Sequence, residues 1–494
     1  MSNSLKASST GLEIVDKARQ RLGWTKTSTA RWWQDAHTSK ATLRRFWQGD
    51  RIQKEIFISI CAVVGITNWE NIAELTDVND VNIDNYPIYL DWYEAPNLES
   101  FYGRNEEILQ LETWVKAGCR SINITGIGGI GKTSLVLALV DNIKSQFKFI
   151  IWKSFHYPTS IIDLLNNLLN ALNQKNVDNV QAGSFQLVQH LQKHRCLVIL
   201  DGIDTVSRNS ELSDFVQKLS LYRHQSCIIT TSREKQNYTE VNTKTVANIK
   251  LHGLSKTEAL ELLKCRGFTG KELGLLALIQ LYRGNPLGLK LVTPFIQSVF
   301  AGNVAEFINQ NTLIVGERLK IIIKQQLDKL SELERDIIYW LAIWQEPISF
   351  SRLQTHLLIS VDPGTVLLGI VELENKSLLE RWVSDHETSF SLQPLVMKIV
   401  TDELIENAAK EIQRVTKHQD ISHLQILRTH WLLRPGTDDI TGERIINQLR
   451  EKLKRVYGVS LPQILAKISL LLGNKSPLSI GYMACNLEVL GNYD

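Results

Sequence analysis

The sequence has 494 residues, of which 44% are hydrophobic and 22% are charged, a composition typical of soluble globular proteins with several domains. A formal net charge of +3 excludes a general polyanion-binding role for the whole molecule. The six scattered cysteines fit neither a zinc site nor a disulfide framework, and neither a signal peptide nor a membrane-spanning apolar run is expected. We therefore expect a reduced, cytoplasmic protein with no membrane partner.

Residues 1–76 predict a helix-turn-helix-like helical domain. The stretch TSTARWWQDAHTSKATLRRFW, from Thr27 to Trp47, indicates two short helices separated by a turn. Lys40, Arg44 and Arg45 fall on or near one face of the second helix, as phosphate contacts would. Residues 1–55 carry eleven basic and five acidic side chains. The domain is therefore a candidate for DNA binding, and binding of a protein partner is the alternative.

The next segments predict a linker and an α/β domain. Residues 77–97 are rich in Asp and Asn and indicate a linker. In residues 98–240 the short apolar runs SINIT, FKFIIWKSF, CLVIL and SCIIT alternate with helical stretches. This order is typical of a parallel sheet with helices on both faces. We therefore expect a P-loop nucleotide-binding domain over 98–240.

The most specific motif of the sequence is GIGGIGKT, which follows an apolar run and precedes an amphipathic helical stretch. In this context it fits a phosphate-binding loop, whose glycines let backbone N–H groups surround phosphates at a helix N-terminus. Lys132 is placed to reach the β- and γ-phosphates, and Thr133 to bind Mg²⁺. The predicted ATP/ADP-binding residues of this loop are Gly126, Gly128, Gly129, Ile130, Gly131, Lys132, Thr133 and Ser134.

Two further strand ends carry candidate catalytic residues. Asp201 ends the run CLVILD, where a carboxylate can support the Mg²⁺ shell. Many P-loop ATPases place a second acid directly after this Asp, but Gly202 stands there, so we expect slow hydrolysis. Arg233 follows the run SCIITTS and is placed to contact a γ-phosphate. Lys132, Asp201 and Arg233 are therefore the predicted catalytic set, and Thr133 with Asp201 the predicted Mg²⁺ site.

The rest of the chain predicts mainly helices. We expect a helical subdomain over 241–328, a winged-helix subdomain over 329–410 with a hairpin at LLERWVSDHETSFSLQ, and a helical region over 411–494.

Residues 98–405 together resemble the NB-ARC class of STAND signal-transduction NTPases. The resemblance rests on the segment FYGRNEEILQLETWV, the phosphate loop, the two strand ends, the stretch LHGLSKTEALELL and the motif RGNPLGLKL, in that order. It implies that Arg104 lies near the adenine and that Pro286 packs on the adenine side. Family members often carry Met-His-Asp in the winged-helix subdomain, with the His on the nucleotide. Gln393 stands at that position and cannot carry a positive charge.

The resemblance implies a signalling switch that holds ADP in a closed form and ATP in an open, self-associating form, with protein partners and slow ATP hydrolysis. Two other functions stay open. One is a DNA-binding transcriptional regulator whose N-terminal domain is gated by the NTPase module. The other is a scaffold that binds nucleotide without hydrolysing it.

Overall fold

The computed structural model describes residues 4–66, 69, 72–73, 88–98, 101–155, 160–205, 210–235, 245–310, 313–358, 361–383, 387–434, 443–473 and 475–491. The chain divides into two compact units, Met1–Pro87 and Ile88–Asp494. In the described part of the chain, no helix is both long enough and apolar enough to cross a membrane.

The first unit is a small helical fold around an aromatic core. Its elements are β1 Ser4–Leu5, α1 Ser9–Arg21, α2 Ala30–Asp35, α3 Lys40–Trp47, β2 Ile52–Gln53 and α4 Lys54–Val63. Helices α2 and α3 and the turn between them lie where the sequence predicts them. Trp32 is fully buried, and its indole N–H donates to the carbonyl of Ile60 at 3.2 Å. The indole of Trp47 packs edge-on against Trp32, with 5.8 Å between ring centroids.

The second unit contains a parallel sheet and a small antiparallel sheet. Its strands are β3 Tyr89–Asp91, β4 Ser121–Thr125, β5 Phe149–Ser154, β6 Cys196–Asp201, β7 Cys227–Ser232, β8 Val246–Lys250, β9 Ile348–Ser349, β10 Leu379–Val383 and β11 Thr388–Leu392. The first six form one sheet in the order β3-β5-β6-β7-β4-β8, and all neighbouring strands are parallel. The carboxyl ends of its strands therefore open on one edge, where ligands bind in such sheets.

Helices cover both faces of the parallel sheet. They are α5 Asn105–Lys116, α6 Lys132–Ile143, α7 Ile161–Ala171, α8 Val180–Lys193 and α9 Ser210–Leu221. Side chains of one strand alternate between the two cores: Val198 and Leu200 pack with α7 and α8, whereas Leu197 and Ile199 pack with α6. Burial on both faces explains why β4, β6 and β7 read as nearly continuous apolar runs.

The helical part of the second unit continues to the C-terminal end. Its helices are α10 Lys256–Lys264, α11 Leu275–Leu281, α12 Pro286–Val299, α13 Val304–Asn309, α14 Glu317–Leu327, α15 Glu332–Trp344, α16 Phe350–His356, α17 Pro363–Asn375, α18 Pro394–His418, α19 Gln425–Thr429, α20 Arg444–Tyr457, α21 Leu461–Leu470, α22 Pro477–Ile480 and α23 Met483–Gly491. Helices α15 to α17 precede the hairpin of β10 and β11, and β9 pairs with β11. That order is the one expected for a winged helix, which stays a prediction.

The predicted domain boundaries also stay predictions, but two strands of the parallel sheet lie outside residues 98–240 and one helix crosses residue 410. Strand β3 falls inside the predicted linker and pairs with β5 at one edge of the sheet. Strand β8 lies beyond residue 240 and forms the other edge, beside β4. Helix α18 runs without a break from Pro394 to His418, across the predicted boundary at 410.

Candidate nucleotide-binding site

The glycine-rich loop lies between β4 and α6 at the carboxyl edge of the parallel sheet. Gly126, Gly129 and Gly131 have φ angles of 152°, 79° and 99°, values that side chains other than glycine rarely adopt. The loop can therefore turn its backbone N–H groups inward at the N-terminus of a twelve-residue helix, where the helix dipole favours negative charge. The sequence motif has the local structure that phosphate binding requires.

Lys132 is the first residue of α6 and curls back over the loop. Its ammonium group donates to the carbonyls of Gly126 at 2.7 Å and Ile127 at 3.3 Å. Burial lowers the pKa of Lys132 to about 8; the positive charge of Arg233 also lowers it, while Asp204 and Asp201 raise it. The amine is therefore held inside the loop, close to the charges of Asp204, Arg233 and Asp201.

Thr133 and Asp201 meet across the sheet edge. The hydroxyl of Thr133 donates to both carboxylate oxygens of Asp201, at 2.9 and 3.1 Å. A second hydroxyl, that of Thr231, donates to the same carboxylate and accepts the backbone N–H of Gly202 at 2.9 Å. Asp201 is thus fixed from the neighbouring strand β7 and oriented toward the start of α6.

This pair suits Mg²⁺, which prefers hard oxygen ligands and commonly retains waters and substrate phosphates in its shell. Among the described residues, no group of three or more His, Cys, Asp or Glu side chains forms an all-protein metal site. The hydroxyl of Thr133 and the carboxylate of Asp201 are the residues that would hold Mg²⁺ beside a bound phosphate chain.

Gly202 has a backbone reason for its identity. Its φ angle is 78°, a conformation that costs a side chain other than glycine about 1–2 kcal/mol. The nearby Asp204 is 2% exposed, and its carboxylate accepts the backbone N–H of Arg233 at 2.9 Å and lies 3.6 Å from the Nε of Arg233. Asp204 therefore orients Arg233. This contact disfavours Asp204 as a replacement for the acid that many P-loop ATPases carry at the position of Gly202.

A cavity of about 200 Å³ adjoins the loop. Its wall comes from five parts of the chain: the loop, the turn after β8, the segment between α11 and α12, strand β10 and the start of α18. The lining residues are Ile127, Ile130, Leu251, His252, Gly253, Tyr282, Arg283, Asn285, Glu380, Gln393, Pro394 and Leu395. Gln393 therefore lies in the wall of a cavity beside the glycine-rich loop, and its contact with a nucleotide stays a prediction.

Pro286 and Arg104 lie close to the loop but outside the cavity lining. Pro286 begins α12, and its Cγ would lie 3.9 Å from a Cβ placed on Gly131. Arg104 is 4% exposed, and its guanidinium donates to the carbonyls of Ile130 and His252 and pairs with Glu107 at 2.6 Å. Arg104 thus supports two residues of the cavity wall from behind. Its contact with a base stays a prediction.

The structure also reveals two residues that the sequence did not single out. A Cβ on Gly253 would lie 1.7 Å from the carbonyl oxygen of Arg283, and one on Gly284 would lie 2.3 Å from the carbonyl oxygen of Leu254. The two backbones cross in contact, joined by a hydrogen bond of 2.9 Å from Leu254 N–H to the Gly284 carbonyl. The two glycines stand in the stretches LHGL and RGNP, but a single sequence does not show that they face each other.

The predicted nucleic-acid residues belong to the first unit. Lys40, Arg44 and Arg45 are exposed on α3, as a phosphate-binding face requires. The ammonium of Lys40 lies 5.9 Å from the ring centre of Trp33, and Arg45 donates to the carbonyl of Arg51 at 2.8 Å.

Residues 106–273 match the family model of the NB-ARC domain. The chain contains an NB-ARC domain. The matched range includes the glycine-rich loop, Asp201 and Arg233, and so covers the phosphate end of the site. The match makes a nucleotide the expected ligand of the glycine-rich loop.

Relatives extend the similarity beyond the NB-ARC domain. An uncharacterized WD repeat-containing protein of Nostoc sp. is 32% identical over 467 residues, which cover 83% of this chain and 37% of that protein. TMV resistance protein N of Nicotiana glutinosa is 25% identical over 214 residues, covering 39% of this chain and 18% of that protein. The chain thus spans little more than a third of the first relative and less than a fifth of the second.

One solved structure matches this chain at a low TM-score. It is that of a STAND protein with a tetratricopeptide repeat sensor from Pyrococcus horikoshii. The TM-score is 0.36 at 18% sequence identity, and the match covers 80% of this chain and 56% of that chain.

Proposed function

We propose that the chain is a signalling switch that binds ADP in a closed form and ATP in an open, self-associating form, and that it hydrolyses ATP slowly. Lys132 and the loop amides bind the phosphates, and Thr133 with Asp201 hold Mg²⁺, which neutralises phosphate charge when bound. Arg233 detects the γ-phosphate, and the cavity beside the loop receives the base.

The composition of the cavity wall carries this proposal. Residues of the NB-ARC domain, of the segment before α12 and of the start of α18 line one cavity. A nucleotide bound there would contact all three parts at once, so its binding free energy would depend on how they are packed. A ligand shifts a conformational equilibrium only through such differential contacts.

A half-buried ion pair links the segment before α12 to strand β10, which also contributes Glu380 to the cavity wall. Arg283 lies 3.3 Å from Glu380, and its guanidinium carbon lies 5.5 Å from the ring centre of Trp382. Burial raises the pKa of Glu380, whereas Arg283 and Lys250 lower it. These contacts would help to maintain a closed form, because they break when the hairpin separates from the segment before α12.

Slow hydrolysis is supported by the residues that follow Asp201. Gly202 supplies no carboxylate to polarise an attacking water, and its φ of 78° disfavours one at that position. The carboxylate of Asp204 is paired with Arg233. Turnover would then reset the switch rather than drive mechanical work.

The bound nucleotide is the direct test of the proposal. The full chain is purified without added nucleotide and denatured, and the released nucleotide is identified by chromatography. We expect ADP near one equivalent per chain. Release of no nucleotide, together with no measurable binding of ADP or ATP by calorimetry, would contradict the proposal.

A scaffold that binds nucleotide without turnover is distinguished by phosphate release. A switch releases phosphate from ATP above the rate of a Lys132→Ala control, whereas a scaffold releases it at the same rate as that control.

The exposed cationic face of α3 supports a second function, regulation of transcription through DNA binding. Lys40, Arg44 and Arg45 are all exposed, while Trp32 and Phe46 of the same helix pair are buried in the core. Replacing the three cations by alanine should weaken binding of the full chain to duplex DNA and reduce its salt dependence. Fluorescence anisotropy against salt concentration measures both. Native protein that fails to bind duplex DNA at low salt excludes this function and leaves α3 as a surface for a protein partner.

A further inference from the structure

Helix α14 packs directly on the phosphate loop. A Cβ placed on Gly128 would lie 2.3 Å from the Cγ2 of Ile322, and one on Gly129 would lie 3.1 Å from the Cδ1 of Leu319. The first distance is shorter than a Cβ atom makes and the second is tight, so α14 approaches the loop closely at two glycines. The helix therefore covers one side of the loop.

The same helix holds Arg233. The Nη1 of Arg233 donates to the carbonyl of Ile322 at 3.1 Å and to the Oε1 of Gln325 at 3.4 Å. On its other side, the guanidinium is paired with Asp204. The arginine is thus shared between the end of β7 and α14.

Gln326 brings an oxygen toward the loop. This side chain is 2% exposed, and its Nε2 donates to the carbonyl of Lys376 at 3.2 Å, which sets the orientation of the amide. Its Oε1 would lie 3.8 Å from a Cβ on Gly128 and has no hydrogen-bond partner among the described residues. A carbonyl oxygen in that place repels the oxygens of a phosphate.

These contacts lie at the γ-phosphate end of the site. Bound Mg²⁺ would neutralise charge at the phosphates that ATP transfers. Thr133 and Asp201, which would hold it, are hydrogen-bonded to each other, and Asp201 lies opposite Thr231 of β7, the strand that Arg233 follows. The charge of Arg233 is close enough to lower the pKa of Lys132. Helix α14 therefore meets the loop on the side where ATP and ADP differ.

We propose that α14 discriminates between ADP and ATP, with Gln325 and Gln326 as specificity-determining residues. ADP leaves the contacts of α14 with Arg233 and Gly128 intact. A γ-phosphate competes with the Ile322 carbonyl and Gln325 for the guanidinium and is repelled by the Gln326 carbonyl oxygen, so its binding displaces the helix. This inference rests on the proposed function, because it needs a site that binds both nucleotides.

Opposite charges at position 325 test the proposal. Gln325 is exposed, so both variants should fold. Gln325→Glu strengthens the hold of α14 on Arg233 and should lower affinity for AMP-PNP relative to ADP by about two- to fivefold, the range of an exposed ion pair. Gln325→Lys repels Arg233 from α14 and should change the ratio of the two affinities by about the same factor in the opposite direction. Isothermal titration calorimetry of the full chain with each nucleotide and Mg²⁺ measures the ratio.

Lys324→Gln is the matched control. It changes the charge of the same helix by the same amount as Gln325→Glu, at an exposed position that lines a different groove. An affinity ratio that moves equally in this control, or that stays constant in both position-325 variants, overturns the role of α14. Native protein that binds neither nucleotide contradicts the proposed function itself, so the two failures are distinguishable.

Discussion

The Lys132→Ala variant is expected to bind ADP and AMP-PNP about 100-fold more weakly than the native protein. In the native protein the Lys132 ammonium lies inside the loop, within hydrogen-bond distance of two loop carbonyls. Loss of a charge-assisted hydrogen bond costs about 1.5–3 kcal/mol, and each 1.4 kcal/mol is tenfold in affinity. Isothermal titration calorimetry on the full chain measures the change for each nucleotide.

Lys144→Ala is the control for this substitution. Lys144 follows the other end of α6, is half-exposed and pairs with Asp141 at 2.9 Å. The control removes the same charge near the same helix and should leave both affinities unchanged. Unaltered binding in Lys132→Ala, or an equal loss in Lys144→Ala, would mean that the glycine-rich loop does not bind the phosphates.

The phosphate end of this site was predictable from the sequence because its residues lie in short, continuous patterns. The loop motif predicted the turn between β4 and α6, and apolar runs predicted that Asp201 and Arg233 stand at the carboxyl ends of two strands. In parallel strands such ends meet at one edge of the sheet. In the structure the Thr133 hydroxyl lies 2.9 Å from the Asp201 carboxylate.

Contacts between distant parts of the chain were not predictable in the same way. Strand β3 has three residues, which is too short for periodicity to show. The contacts of Arg104 with the carbonyls of Ile130 and His252 and with Glu107 also join distant parts of the chain, and the sequence did not predict them. The packing of α14 on Gly128 depends on tertiary structure, and the amphipathic pattern of one helix does not identify its partner.

Gly202 departs from the family pattern, and the reason for this departure also became visible only in the structure. The sequence shows that Gly202 replaces an acid, but only the backbone shows that its φ is 78°. The turn after β6 brings the Gly202 N–H onto the Thr231 hydroxyl, which in turn donates to Asp201. Loss of an acid and precise orientation of Asp201 are therefore two consequences of one turn.

The Gly253→Ala variant is expected to lose both stability and nucleotide affinity. A Cβ at this position would lie 1.7 Å from the carbonyl oxygen of Arg283 and 2.8 Å from its carbonyl carbon. Both are backbone atoms, which cannot rotate away as a side chain would. The two crossing segments must separate, and we expect a cost of about 3 kcal/mol, at the upper end for overpacking. Thermal unfolding of the full chain should begin about 5 °C lower or more.

The loss of affinity follows from the position of this crossing in the cavity wall. Gly253 and Arg283 both line the cavity beside the phosphate loop, so their separation changes the shape that would receive a base, and ADP affinity should fall about tenfold or more. Gly491→Ala is the matched control, because no atom lies within 4 Å of a Cβ placed there. If Gly253→Ala has the same unfolding temperature and the same ADP affinity as this control, the crossing does not constrain the site. A loss of stability without a loss of affinity would place the base elsewhere and would leave Arg283, Glu380 and Gln393 outside the nucleotide site.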